Sequence, residues 1–577
     1  MPSDSNATNS MNGSAKNLVL GLDGADVELM LSLGQERLPT LFGLMESGAW
    51  SRQQSVQPPA TLPNWTTFLT GVDPGEHGVF DFTTRDGYRV HFTAGSVREA
   101  PTLMARLDKM GRRCACIGFP ATYPPEQLDH GVFISGWDAP VAFDDDPSFV
   151  WPRALHGKIK ERFGATRFDD VDEFDAERPG WHDDLADSLV KRIERKVELG
   201  SWLLAGEDWD LFALYFGESD TASHHLWAHH DTGSPRHVPG ASSPAARAGL
   251  GRVYEALDAA VARLIKAAGE NVEVTIVSDH GSGGSGDRVL YLNRALADAG
   301  LLTFRSSSIA EKLRKRVTQR VKDTALTLLP PVVRQSLFRF GGAMLPSLLE
   351  SFARFGAIDM ERTRAFSDEL NYFPGVWLNQ RHREPSGVVE ESERDATLRE
   401  VERCLRALRD PFSGQPVVEH VWRREELFHG PFLERAPDLL LGLHLVDGYS
   451  YNLMPSASAP ADCREAWRKL SRDEFHGRKG RSLGGSHRDK GLFIAHGPRI
   501  AAIGEIESAI ADASATLLAR MDISVPANAA GRVLYEVLAD FSGESEALPD
   551  AQVRKKANDG AGEAAVERRL RALGYID

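Results

Sequence analysis

Two kinds of hydrophobic pattern alternate along the chain. Asn17-Leu-Val-Leu-Gly-Leu22, Leu211-Phe-Ala-Leu-Tyr-Phe216 and Val272-Glu-Val-Thr-Ile-Val277 are short and almost continuously apolar. Runs of this length predict strands buried on both faces of a parallel sheet. Residues 181–204 and 246–268 instead carry apolar positions on one helical face and mixed charge on the other. The second helix lies between the runs that end at 216 and 277, so those two strands are parallel if they share a sheet. Further strands are predicted at 115–118, 132–135, 375–378, 438–441 and 492–495, and further helices at 102–109 and 393–408. This order predicts an α/β fold with a mainly parallel central sheet.

The rhythm breaks at residues 306–364, which read as helical pieces. Glu311-Lys-Leu-Arg-Lys-Arg316, Arg320 and Lys322 make this stretch basic. It predicts a helical cap over the main domain or a solvated hairpin. A membrane-surface element ranks below both, because the segment lacks a clear basic and aromatic face. The resulting division is a polar lead-in at 1–16, a main α/β domain at 17–305 and 365–540, the cap at 306–364, and a charged tail with a short helix at 541–577.

The buried runs end alike. The first delivers Asp23, the second leads into Glu218-Ser-Asp220 with His224 four residues later, and the third reaches Ser278-Asp279-His280-Gly281. Ligands of open α/β sheets bind beyond the carboxyl ends of the strands, and carboxylates with imidazoles gathered there predict a metal centre. His225, His229 and His230 compete with His224. The four-residue step from Asp220 favours His224, since it places both on one helical face.

Pro58-Pro-Ala-Thr-Leu-Pro-Asn-Trp65 opens a short apolar helix in which Trp65, Phe68 and Leu69 recur at helical spacing. Its prolines disfavour regular structure before Asn64, which places Thr61 just ahead of the helix N-terminus. A hydroxyl there suits an anion or an attacking oxygen. It equally suits a plain cap by Thr61 or Asn64. Thr66 and Thr67 compete with Thr61 but fall inside the helix, where hydroxyls bond back to the chain.

These motifs, in this order, resemble the alkaline phosphatase superfamily, most closely its type I phosphodiesterase/nucleotide pyrophosphatase branch and the predicted phosphohydrolase/phosphomutase proteins within it. Leu22-Asp23-Gly-Ala-Asp26 is similar to the first metal motif, and Thr61-Leu-Pro-Asn64 with Leu69-Thr-Gly71 and His77-Gly78 to the nucleophile motif. Asp220 to His224 and Asp279-His280 are similar to the central metal motifs, and Gly484-Gly-Ser-His487 with His496-Gly-Pro498 to the last. The resemblance runs from about residue 17 to 538. It implies an alkaline-phosphatase-like α/β/α sandwich with a helical insertion, closed by helices at 511–518 and 531–534. It also implies two divalent cations, Zn²⁺ or Mn²⁺. Asp23, Thr61, Asp279 and His280 would surround one, and Asp220, His224 and His487 the other. Thr61 would be the nucleophile, and Asn64 a donor to a phosphoryl oxygen. His496 competes with His487, which matches the motif position on a Gly-Gly-Ser approach read as flexible.

The implied activity is hydrolysis of a small phosphorylated substrate by a phosphodiesterase, nucleotide pyrophosphatase or phosphatase, through a covalent phospho-threonine. A phosphotransferase or phosphomutase of the same superfamily and a non-catalytic metal-binding relative are the alternatives. A sulfatase needs Cys or Ser where Thr61 stands. A cofactor-independent phosphoglycerate mutase would carry Ser there and an extra domain between the nucleophile and the central motifs, whereas here the largest unmatched region follows His280.

The formal net charge of −15 over 577 residues argues against a nucleic-acid polymer as partner, which needs a basic face. Cys114, Cys116, Cys404 and Cys463 form no zinc-cage spacing and read as reduced thiols. With no signal-like start or membrane-spanning run, a cytoplasmic location is expected.

Overall fold

The computed structural model describes residues 15–93, 95–136, 147–164, 178–305, 351, 354–369, 373–460, 463, 465–475, 483–539 and 545–551. Of the expected cap at 306–364, only 351 and 354–364 are among the described residues; the lead-in up to 14 and the tail helix lie outside them, while Ala15 and Lys16 already belong to the first strand.

The central sheet has nine strands, in the spatial order Gly504–Ile506, Ala49–Gln54, Lys490–His496, Glu273–Val277, Ala15–Leu22, Trp209–Phe216, Cys114–Ile117, Val132–Ile134 and Val150–Trp151. The Asp23 strand lies between the Asp220 and Asp279 strands and runs parallel to both. All three carboxylates therefore leave the same edge of the sheet, side by side. The strand Lys490–His496 is antiparallel to both its neighbours, so the sheet is mixed.

Alternation along the strands divides the core in two. Leu18, Leu20 and Leu22 face a cluster that includes the helices Trp181–Gly206 and Pro244–Ala268. Val19, Cys114 and Cys116 face the other side, against the helices Thr61–Thr70, Leu103–Lys109 and Ile510–Arg520. The result is three layers, helices on both faces of one sheet. The expected helix at 531–534 is absent, and a single 3₁₀ turn follows at Tyr535–Val537.

The strands expected at 375–378 and 438–441 form, but outside the central sheet. Gly375–Leu378 and Leu439–Leu443 belong to a separate antiparallel sheet with Ala365–Ser367 and Val418–Arg423. The helix Arg394–Ala407 packs on it around a core of its own. Among the described residues, no helix is long and apolar enough to cross a membrane.

Candidate functional site

Asp23 follows the last residue of its strand, and its backbone N–H is fixed by the Phe216 carbonyl at 2.9 Å. Gly24 has a φ of +62°. A Cβ there would lie 3.2 Å from Asp220 Cα, so only glycine lets the two strand ends approach. Three serines stitch the ends together. Ser219 Oγ donates to the Asp23 carbonyl, Ser282 Oγ donates to the Gly24 carbonyl, and Ser278 Oγ accepts from Ala25 N.

Asp220 and His224 lie one turn apart on the helix Glu218–His230, with Asp220 Oδ1 3.1 Å from His224 Nε2. His487 arrives from the strand Gly485–Arg488, which pairs antiparallel with Gly281–Leu290 and sets His487 opposite Ser282. The Gly-Gly-Ser approach is therefore ordered sheet, a correction to its reading as a flexible segment. Gly485 runs so close to the Ser223 carbonyl that any side chain would collide with it.

Three imidazoles share one orientation. Nδ1 of His224 donates to the Gly485 carbonyl, Nδ1 of His280 to Gly281, and Nδ1 of His487 to Pro59, at 3.0, 3.0 and 2.9 Å. A ring nitrogen facing a carbonyl carries the hydrogen, so each ring turns its Nε2 into the site, where those of His224 and His487 lie 3.0 Å apart. His280 Nε2 lies 3.2 Å from Asp279 Oδ2 and 3.5 Å from Asp23 Oδ1. His487 Nε2 lies 3.5 Å from Asp220 Oδ1. Two trios, Asp220 with His280 and His487, and Asp23 with Asp279 and His280, each hold their ligand atoms within 4.8 Å of one another. His280 belongs to both.

All six side chains are buried. Burial first, and the neighbouring Asp23 second, push the Asp279 carboxyl well above its ordinary range. Burial, followed by the His487 ring, holds His280 well below the usual imidazole range. Five of the six make up the two trios, a donor set that suits a cation, while His224 stands outside both trios and meets the Asp220 carboxylate.

Thr61 is the first residue of its helix rather than the residue before it, and the N-cap is Ala60, with no side-chain capping bond. Pro63 fits within the first turn because N–H groups there have no intrahelical acceptor. The plain cap is thus ruled out for both Thr61 and Asn64. Thr61 Oγ1 instead faces His280 Nε2 at 3.4 Å. Asn64 corrects the second catalytic expectation. Its Oδ1 accepts from Val56 N, and its Nδ2 donates to the Ala60 and Pro58 carbonyls at 2.9 and 3.1 Å, with Val56 O at 3.3 Å. Both amide hydrogens are committed to the preceding loop, so none is left for a phosphoryl oxygen.

The competing residues sit elsewhere. Thr66 Oγ1 bonds back to the Leu62 carbonyl, and Thr67 Oγ1 meets His77 Nε2 at 3.0 Å. His225 packs on Trp181, and His229 Nδ1 meets Ser242 Oγ. His496 ends a strand and belongs to neither trio. An apolar cluster of Ala60, Leu62, Val79, Phe82 and Ala121 flanks Thr61, with Phe373 packed against it. Ala121 comes from the loop that follows the strand Cys114–Ile117.

Two residues escaped the sequence reading. Tyr215 Oη and Trp65 Nε1 both donate to Asp23 Oδ2, at 2.6 and 2.9 Å. Each lies inside an apolar run, where its polar tip leaves no periodic signal.

No curated protein sequence matches the chain. Among solved structures, it is similar to murine ectonucleotide pyrophosphatase/phosphodiesterase 5, in an inactive form in complex with AMP. The identity is 14% and the TM-score 0.47, over 91% of this chain and 100% of that one. The human protein of that name gives 14% and 0.48 over the same shares. Phosphonoacetate hydrolase from Sinorhizobium meliloti 1021, in complex with phosphonoformate, gives 17% and 0.46 over 87% and 95%. The family model of type I phosphodiesterase / nucleotide pyrophosphatase matches residues 17–455, a span that includes every site residue above except His487. The chain belongs to the type I phosphodiesterase / nucleotide pyrophosphatase family of phosphoric ester hydrolases.

Proposed function

We propose that the chain is a metal-dependent hydrolase of small phosphoric esters that acts through a covalent phospho-threonine at Thr61. The observation that carries this reading is the convergence of three Nε2 atoms on three buried carboxylates beside the Thr61 hydroxyl. Mixed imidazole and carboxylate donors suit Zn²⁺ or Mn²⁺. Asp23, Asp279, His280 and Thr61 would hold one ion. Asp220, His224 and His487 would hold the other, with His280 between the two. Bound there, the ions supply Lewis-acid stabilisation of charge on the attacking and leaving oxygens.

The rest falls to the chain. Thr61 Oγ1 forms a bond to phosphorus as the bond from phosphorus to the leaving alcohol breaks. Water then cleaves the phospho-threonine and restores the hydroxyl. Ahead of Pro63, the N–H groups of Thr61 and Leu62 open the helix and favour negative charge on the phosphoryl oxygens. Asn64 holds the loop that delivers Thr61.

Thr61→Ala tests the reading. Turnover of chromogenic monoester and diester substrates should fall by roughly three orders of magnitude or more. Thr61→Ser should keep much of it. Stability should change by only about 1 kcal/mol, since no cap is lost. Acid-quenched enzyme should carry phosphate on the peptide containing Thr61. Near-normal turnover by Thr61→Ala would make water, not threonine, the attacking group.

A further inference from the structure

The two oxygens of Asp23 face different surroundings. Its Oδ2 accepts both the Trp65 indole N–H at 2.9 Å and the Tyr215 phenol at 2.6 Å. Its Oδ1 is the oxygen turned toward His280 Nε2, at 3.5 Å. Two donors on one carboxylate oxygen, one of them at a short O–H···O⁻ distance, fix the rotation of the carboxylate.

The surroundings are built for this arrangement. Trp65 is fully buried. Phe119, Tyr215 and Phe68 pack edge-on against it, with ring centroids at 5.2, 5.6 and 6.0 Å. Gly21, on the Asp23 strand, makes room for the indole, since a Cβ there would come within 2.9 Å of Trp65 Cη2. Tyr215 is braced from behind by the Lys196 ammonium, 5.5 Å from its ring centroid. That ammonium is itself 2.8 Å from Glu218, the first residue of the helix carrying Asp220 and His224. Trp65 also lies one turn beyond Thr61 on the same helix, so its bond to Asp23 joins the hydroxyl-bearing helix directly to the strand end.

We infer that Trp65 and Tyr215 are positioning residues that hold Asp23 as a one-oxygen ligand of one metal ion, and that Trp65 additionally sets the place of Thr61 against that ion. The inference rests on the two-metal reading above. Outer donors to a metal ligand commonly contribute ten- to a hundredfold in affinity or activity. Trp65 acts on two parts of the site and Tyr215 on one, so their variants should differ in kind.

The test is Zn²⁺ titration of the full chain against a chromogenic chelator. Tyr215→Phe, which removes a single hydroxyl, and Trp65→Phe should each weaken one of the two Zn²⁺ equivalents about tenfold or more and leave the other unchanged. Saturating Zn²⁺ should restore kcat in Tyr215→Phe but not in Trp65→Phe, whose Thr61 helix has lost its tether. Phe68→Leu is the packing control. It should lower stability with both affinities intact. Unchanged affinities in both variants, or an equal loss of both equivalents, would overturn the inference while leaving the two-metal reading in place. Failure of the unmodified chain to take up Zn²⁺ would overturn that reading and the inference with it.

Discussion

The protein buries carboxylates in two places and treats them in opposite ways. In the separate antiparallel sheet, Asp438 is completely buried, yet Arg383 Nη2 bonds it at 2.6 Å and Leu378 N at 2.8 Å. Arg394 and Arg424 stand 3.7 and 3.8 Å away. Burial alone would raise its carboxyl. The Arg383 guanidinium and its neighbours outweigh burial and hold it below the ordinary value. At the edge of the central sheet, Asp279 is equally buried, and among the described residues no arginine or lysine pairs with it. Its surroundings are two more aspartates and the imidazoles of His280 and His487, each with Nδ1 turned to a backbone carbonyl. One cluster carries its own cations and is complete as folded. The other gathers negative charge and lone pairs at a single point, an arrangement that stabilises a bound cation rather than the fold.

Replacing the two aspartates should therefore give opposite results, and the largest effect should be functional. Asp279→Asn should remove a metal ion and lower turnover about a hundredfold or more. In chelator it should melt no lower than the unmodified protein, because the amide has the shape of the carboxyl and cannot ionise in this buried place as pH rises. Asp438→Asn should do the reverse. It leaves guanidinium groups short of their partner and should cost about 3–5 kcal/mol of stability, measured by denaturant unfolding. Metal stoichiometry in the folded fraction should remain intact. Equal destabilisation by both variants would erase the distinction between the clusters.

The same contrast appears in pH dependence. Asp438 has a folded value below its ordinary 3.8, so its contribution is present above that value and lost as pH falls through the folded one. Asp279 has a folded value well above 3.8, so its contribution to the metal-free protein is present below 3.8 and lost as pH rises. Divalent cations should reverse that loss. Burial and the neighbouring Asp23 favour the protonated Asp279 carboxyl, with which a cation would compete, so Zn²⁺ affinity should climb as pH rises, with proton release measurable in buffers of different ionisation enthalpy. An affinity independent of pH between 5.5 and 7.5 would mean that the site is already deprotonated.

How much of this was legible in the sequence depended on range. Asp23, Asp220 and Asp279 were readable because each lies within four residues of the end of a buried apolar run, and parallel neighbours must end on the same edge. His224 was readable because one helical turn is a local rule. His487 was not readable from spacing. Its strand is only four residues long and finds its place by pairing with the distant Gly281–Gly284 stretch. It came from family resemblance. The separate sheet escaped because Gly375–Leu378 is as apolar as a central parallel strand, and a run of that kind does not say which sheet will bury it.

Asn64 offers a sharper comparison, because it was misread rather than missed. Spacing from Thr61 was visible in the sequence, but the competing carbonyls of Val56, Pro58 and Ala60 were not. Asn64→Ala should therefore behave as the loss of a buried structural network. It should cost about 1–3 kcal/mol of stability and lower kcat less than Thr61→Ala does. A fall in kcat of about 10²–10³-fold with unchanged stability is the signature of a lost transition-state donor, and would return Asn64 to the phosphoryl group.

The smallest effect is expected at His496, and its smallness is informative. His496 closes the strand Lys490–His496, pairs with Val274 in the sheet, and belongs to neither ligand trio. Burial lowers its imidazole somewhat, with Glu273 opposing. It is half-buried and bonded into no strand-end network, so His496→Ala should shift stability by about 0.5 kcal/mol or less. Zn²⁺ stoichiometry and turnover should stay at the unmodified level. His487→Ala, nine residues earlier, should lose one equivalent outright, because its ring is held by Pro59 O on one side and faces Asp220 on the other. If His496→Ala loses the ion and His487→Ala keeps it, the last ligand has been placed on the wrong histidine, and the charge balance drawn around Asp279 and Asp220 must be redrawn with it.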